Sequence, residues 1–142
     1  MRTTAKGLAL IKEFEGLRLE AYLCPAGVWT IGWGHTKGVK KGDRIDISTA
    51  EKYLREDIEE AERGIEKLVK VKLNDNQFSA LVSFVFNFGE TKFRSSTLLR
   101  VINTDPYSPD VAIQFRRWVY ADGKISQGLI RRREAEVKLY QS

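Results

Sequence analysis

Three residues near the start of the chain have types suited to bond-breaking chemistry. They are Glu15, then Cys24 after eight intervening residues, then Thr30 after five more. A carboxyl group can hand over a proton. A thiolate can stabilise positive charge or attack it, whereas a neutral thiol does little of either, and a free thiol with a pKa of about 8.5 is mostly neutral at pH 7. The spacing alone is not specific. A glutamate at a helix end is usually a solvated charge, a lone cysteine usually packs as a small apolar residue, and threonine favours strands for its own reasons. Other chemistries are excluded more firmly. The chain has one cysteine, Cys24, and one histidine, His35. That rules out an internal disulfide and a structural zinc site of nitrogen and sulfur ligands. A serine triad would have to use His35, and no nucleophile-elbow motif is present.

The elements that must position these residues are legible as patterns. Leu8, Ile11 and Phe14 recur at helical spacing and Gly16 follows as a stop, so a first helix is expected over residues 4–14. Glu15 then sits at its last turn, where the negative end of the helix dipole disfavours a further negative charge. Residues 17–47 alternate in short runs rich in Gly, Thr, Trp and Tyr and read as strands. Cys24-Pro25-Ala26-Gly27 is a hairpin turn. With a three-residue loop, Pro25 to Gly27, Cys24 pairs with Val28 and Tyr22 with Thr30, so Cys24 and Thr30 share a face. A two-residue loop would put them on opposite faces.

The rest reads as helix. Residues 48–69 form a long one with a Ser48–Glu51 capping box and a stripe through Ala50, Leu54, Ile58, Ala61 and Ile65. Asp57 falls beside that stripe, and an inward carboxylate needs a partner. Residues 74–88, capped by Asn74, are apolar nearly all round, as a central buried helix requires. Further helices are expected over 95–103, 109–119 and 126–140. The class is α+β: one domain spanning residues 1–142, with a small β-hairpin lobe (about 15–47) and a larger helical lobe (about 70–142 plus the first helix), joined by the long helix.

Composition narrows the partners. A net charge of +5 over 142 residues favours polyanions. No stretch approaches the roughly 18 apolar residues of a membrane span, so stable membrane insertion is not expected. Residues 1–12 lack the apolar core and cleavage site of a signal peptide. No nucleic-acid motif is present. A basic domain that binds nucleic acid, lipid or wall polymer without catalysis is the rival reading, and it leaves the hairpin unexplained.

Five stretches taken together carry a resemblance: Glu15 to Thr30, WTIGWGHT (29–36), NQFSALVSFVFNFG (76–89), FRRWVYADGK (115–124) and GLIRRREAEVKLY (128–140). In order, they closely resemble the phage-type lysozymes, whose catalytic pattern is Glu, eight residues, Asp or Cys, five residues, Thr. The resemblance implies a lysozyme-like fold and hydrolysis of bacterial peptidoglycan between N-acetylmuramic acid and N-acetylglucosamine. It implies Glu15 as the general acid, Thr30 as a holder of the attacking water, and Cys24 as a group that positions that water or stabilises the transition state. Most glycosidases have a carboxylate there, and a family member that has lost catalysis is a second rival. The resemblance also implies Thr36, Phe86 and Asn87 along the sugar cleft and a structural His35–Asp57 ion pair. It implies no cofactor or metal, and a monomer that binds peptidoglycan and not nucleic acid. The enzyme would be made in the host cytoplasm and reach the wall after release, helped by a separate membrane-permeabilising protein. Arg117, Arg131, Arg132 and Arg133 are expected to be mostly solvated, with one free to pair with Glu15.

Overall fold

Helix α3 (Asp75–Phe88) lies at the centre of the molecule, and every residue from Gln77 to Val85 is buried. Its apolar circumference forces neighbours onto all sides: α1 (Ala5–Glu15), α2 (Ile47–Leu68) and α7 (Gln127–Tyr140) all pack on it. The computed structural model describes the whole chain, residues 1–142. The remaining elements are β1 (Arg18–Leu23), β2 (Trp29–Gly32), α4 (Glu90–Arg94), α5 (Thr97–Thr104), α6 (Asp110–Arg116), β3 (Tyr120–Ala121) and β4 (Lys124–Ile125). The architecture is α+β, with the helices dominant and two small antiparallel sheets, β1-β2 and β3-β4.

Asn74 caps α3 with a full capping box, its side chain accepting from the Gln77 N–H while the Gln77 side chain returns to the Asn74 backbone. Helix α1 crosses α3 at very close range. A Cβ on Gly7 would stand 2.7 Å from the Ser79 Cβ, so only glycine lets α1 lie where it does. The Thr4 N–H also donates to Ser79 Oγ at 2.9 Å. These contacts fix the axis that carries Glu15.

The hairpin has the three-residue loop. The Cys24 N–H donates to the Val28 carbonyl at 3.0 Å and the Gly27 N–H to the Cys24 carbonyl at 2.8 Å. Gly27 is left-handed (φ +78°), as such loops require. Tyr22 pairs with Thr30, so Tyr22, Cys24 and Thr30 share a face. Only part of residues 17–47 is regular strand. The bulge in β1 lets Leu19, Glu20 and Ala21 pair instead with the segment 43–45, through Ala21 N–H to the Asp43 carbonyl and Ile45 N–H to the Leu19 carbonyl, both 2.9 Å.

Helix α2 departs from expectation at its first turn. Its cap is Asp46, whose carboxylate accepts from the Thr49 N–H at 2.8 Å; Ser48 already lies inside the helix. That hydrogen bond holds the Asp46 carboxyl below its ordinary pKa. The benefit is complete above the unfolded value of about 3.9 and is lost as pH falls through the lower folded value. Asp46→Ala should therefore lower the melting temperature at neutral pH, with the difference from wild type closing in acid. Ser48→Ala should leave it unchanged. Equal effects of the two substitutions would contradict the cap.

Candidate active site

Glu15 ends α1, and its carboxylate is held from two sides. Arg132 of α7 donates from Nη1 to Glu15 Oε2 at 2.6 Å, and only 18% of the Glu15 side chain is exposed. The other oxygen faces Gly34, where a Cβ would stand 2.5 Å from Oε1. Gly34 belongs to a tight turn closed by reciprocal Ile31–His35 backbone hydrogen bonds of 2.9 Å, and it is left-handed (φ +77°). Both the turn and the carboxylate thus demand glycine. Phe86 closes the same space, its Cε1 lying 3.6 Å from that Cβ position. The importance of Gly34 is invisible in sequence, because it depends on a contact between segments that sequence spacing does not bring together.

On the hairpin, Cys24 and Thr30 are neighbours. The Thr30 hydroxyl donates to the Val28 carbonyl at 2.9 Å, which leaves its lone pairs free to accept. The Cys24 thiol is held below its ordinary pKa, foremost by the backbone N–H of Val28, with the Thr30 side chain and the loop amides adding to the effect. Tyr22 was not singled out by its sequence pattern, yet it stands on the same face. Burial pushes its phenol up, and the charges of Glu15 and Cys24 push the same way. The Arg18 guanidinium covers its ring at 4.5 Å. Tyr22 is thus in electrostatic reach of both Glu15 and Cys24.

Iodoacetamide alkylation reports on this thiol alone, since Cys24 is the one cysteine. Its rate should rise with pH through a midpoint below the value of about 8.5 for a free thiol. Thr30→Val should move that midpoint up. A wild-type midpoint at or above the free-thiol value would contradict the lowering expected from the loop amides.

A cavity of about 200 Å³ is lined by Gly34, Thr36, Asp57, Phe86 and others. Thr36 and Phe86 therefore share a recess with the turn that faces Glu15. Asn87 does not line it; its Oδ1 accepts from Arg133 Nη2 at 2.8 Å. A larger cavity, about 610 Å³, lies between the first residues of the chain and α2 and contains none of these groups. Its carboxylates include Glu51, Glu62 and Glu66, which are already taken by Lys12, Thr3 and the Met1 ammonium.

His35 is buried and partnered at both ring nitrogens, Nδ1 with Asp57 at 2.8 Å and Nε2 with the Lys37 carbonyl at 3.1 Å. Its ring also stacks on Tyr53, with centroids 4.1 Å apart. Asp57 and Tyr53 belong to α2 and His35 to the turn after β2, so these contacts fasten the hairpin region to the long helix.

The arginines meet their expectation only in part, Arg132 being the one that pairs with Glu15. Arg117 and Arg131 are exposed, but Arg132 and Arg133 are buried. Their partner is Glu136, fully buried, with Oε1 2.7 Å from Arg133 Nε and Oε2 3.5 Å from Arg132 Nε. Ser83 of α3 donates to the same carboxylate. Burial pushes the Glu136 carboxyl up, and the two guanidiniums pull it back. Together with Glu15 the cluster sets two guanidiniums against two carboxyl groups, which is why so much charge can leave water.

A likeness to known proteins runs the length of the chain. The family model described as Phage lysozyme matches residues 12–136. The endolysin of Acyrthosiphon pisum secondary endosymbiont phage 1 is 46% identical over 146 aligned residues, covering 100% of this chain and 99% of the relative. The endolysin of Salmonella phage P22 is 38% identical, covering 100% and 99%. Among solved structures, the muramidase domain of SpmX from Asticaccaulis excentricus superimposes with a TM-score of 0.90 at 36% identity, covering 99% and 98%. With a family match over most of its length and relatives alike over nearly the whole of both chains, the chain belongs to the phage lysozyme family.

Proposed function

We propose that this lysozyme cuts the β-1,4 bond between N-acetylmuramic acid and N-acetylglucosamine in peptidoglycan, with Glu15 as the general acid. The observation that supports this most is the seat of the Glu15 carboxylate. Oε2 is taken by Arg132 at 2.6 Å and Oε1 is pressed against Gly34 beside the recess, so one defined oxygen is presented to the substrate. Oε1–H gives its proton to the glycosidic oxygen as the bond to C1 breaks, and positive charge develops on the ring. A water on the opposite face then attacks C1. The Thr30 hydroxyl accepts a hydrogen bond from that water, and the Cys24 thiolate draws off its proton. The lowered pKa of Cys24 increases the thiolate share available for this. The product has inverted anomeric configuration.

Thr36 and Phe86 form the wall of the sugar cleft beside Gly34, and Asn87 borders it. The basic surface suits an anionic wall. No helix is long and apolar enough to cross a membrane. The enzyme works as a monomer on the cell wall after release from the cytoplasm, a separate protein opening the membrane.

Two assays test this. The protein should clear a suspension of permeabilised bacteria. Digestion of purified peptidoglycan, followed by borohydride reduction and mass spectrometry, should show N-acetylmuramic acid at the new reducing ends. Reduced N-acetylglucosamine, or freed peptide without glycan cleavage, would overturn the assignment. Tight binding to wall without any cleavage would favour the inactive rival.

A further inference from the structure

Arg132 and Arg133 are adjacent on α7, both cationic and both buried, yet their heads go to different places. Arg132 reaches the end of α1 and grips Glu15. Arg133 reaches the end of α3 and grips Asn87 Oδ1 at 2.8 Å. Two buried like charges side by side need an anion between them. Glu136, one turn further along α7, is that anion. Its Oε2 receives Arg133 Nη2 at 3.0 Å and the hydroxyl of Ser83, and lies 3.5 Å from Arg132 Nε. Ser83 also accepts from Arg132, through Oγ to Nε at 3.3 Å and through its carbonyl to Nη2 at 3.2 Å. The rigid guanidinium of Arg132 is thus fixed along its Nε–Nη2 edge, so Nη1 has one direction left. Arg133 is fixed further by the Trp118 carbonyl at 3.3 Å and by the Phe84 and Phe88 rings, 5.1 and 4.8 Å away.

From this geometry we infer that Glu136 and Arg133 are positioning residues of the active site, although neither faces the cleft. Glu136, through Ser83 and Arg132, sets the place of the Glu15 carboxylate. Arg133 occupies Asn87 Oδ1 and so turns the Asn87 amide nitrogen, which donates to no group of the protein, toward the substrate side. One buried carboxylate on α7 thereby aligns cleft residues supplied by α1 and α3. The inference rests on the functional reading above and adds two residues to it.

The split between kcat and KM tests it, measured on soluble glycan strands prepared from peptidoglycan. Arg133→Met frees Asn87 and should raise KM with little change in kcat, because it removes binding rather than acid chemistry. Glu136→Gln loosens Arg132 and should lower kcat by about tenfold to a hundredfold with KM near wild type. Because Glu136→Gln leaves an unmatched buried cation, it can fail to fold. The double variant Arg133→Met/Glu136→Gln keeps the charges balanced and should show both effects. Ser83→Ala, which removes no charge, should show the kcat effect alone. Folded variants, by near-ultraviolet circular dichroism, with wild-type kcat and KM would overturn the inference while leaving the lysozyme reading intact. An inactive wild-type chain would remove the functional reading and this inference with it.

Discussion

Glu15→Gln should reduce wall lysis by about 10²- to 10⁴-fold, the usual consequence of deleting a general acid. The substitution suits the site. Glutamine has the shape of glutamate, and its carbonyl oxygen can still accept from Arg132 Nη1, which stands 2.6 Å from Glu15 Oε2. Gly34 leaves room for the same terminal group and no more. What glutamine lacks is a transferable proton. The variant should therefore keep its far-ultraviolet circular dichroism spectrum and its binding to insoluble wall while losing clearing activity. A folded Glu15→Gln protein that still clears permeabilised cells at a substantial fraction of the wild-type rate would remove Glu15 from the role of acid.

Gly34→Ala should come close to that effect from a residue that does no chemistry. The added methyl group would lie 2.5 Å from Glu15 Oε1, inside contact distance, and the backbone there has φ +77°. A flexible glutamate on an open surface would swing away. Here Arg132 holds it, so the carboxylate must shift or the turn must open. A displacement of about 1 Å of a reacting group can cost about a hundredfold in rate. Either response moves the acid or the recess wall at Thr36 and Phe86. The expected result is a fall in kcat of about that size with a modest loss of thermal stability. Wild-type activity in Gly34→Ala would show that the carboxylate adapts freely, and that the two-sided seat does not matter.

The hairpin was legible because side chains alternate strictly along strands. Given a three-residue loop, with which Gly27 is consistent, the pairing of Tyr22 with Thr30 followed, and the structure has that loop and that register. The central helix was legible because Phe78 to Val85 carries no charge and is apolar but for Ser79 and Ser83. Three features were hidden for physical reasons. Helix α7 turns charged residues inward, so its apolar pattern is blurred and the burial of Arg132, Arg133 and Glu136 does not show. The spacing of Glu136, four residues after Arg132 and three after Arg133, was the available signal. The β3–β4 hairpin has strands of two residues each, too short for alternation to register. Its turn is nevertheless marked by Asp122-Gly123, both with positive φ. The Asp46 cap was masked by a plausible competitor two residues on, and only hydrogen-bond geometry chooses between them. For Glu15, Cys24 and Thr30 the sequence supplied identities and spacing. The seat of the acid between Arg132 and Gly34 came from the tertiary fold, because it joins residues more than a hundred positions apart.

The stereochemistry of the first product tests the account most directly, because it reports what attacks C1. A soluble peptidoglycan oligosaccharide is cleaved inside the NMR tube and the anomeric proton of the new reducing end is read before mutarotation. Water held by Thr30 and Cys24 on the face opposite Glu15 predicts that the α-anomer appears first. Initial appearance of the β-anomer, together with a glycosyl adduct on Cys24 in the mass spectrum of the enzyme, would show that the thiolate attacks carbon itself and would contradict the water-attack mechanism.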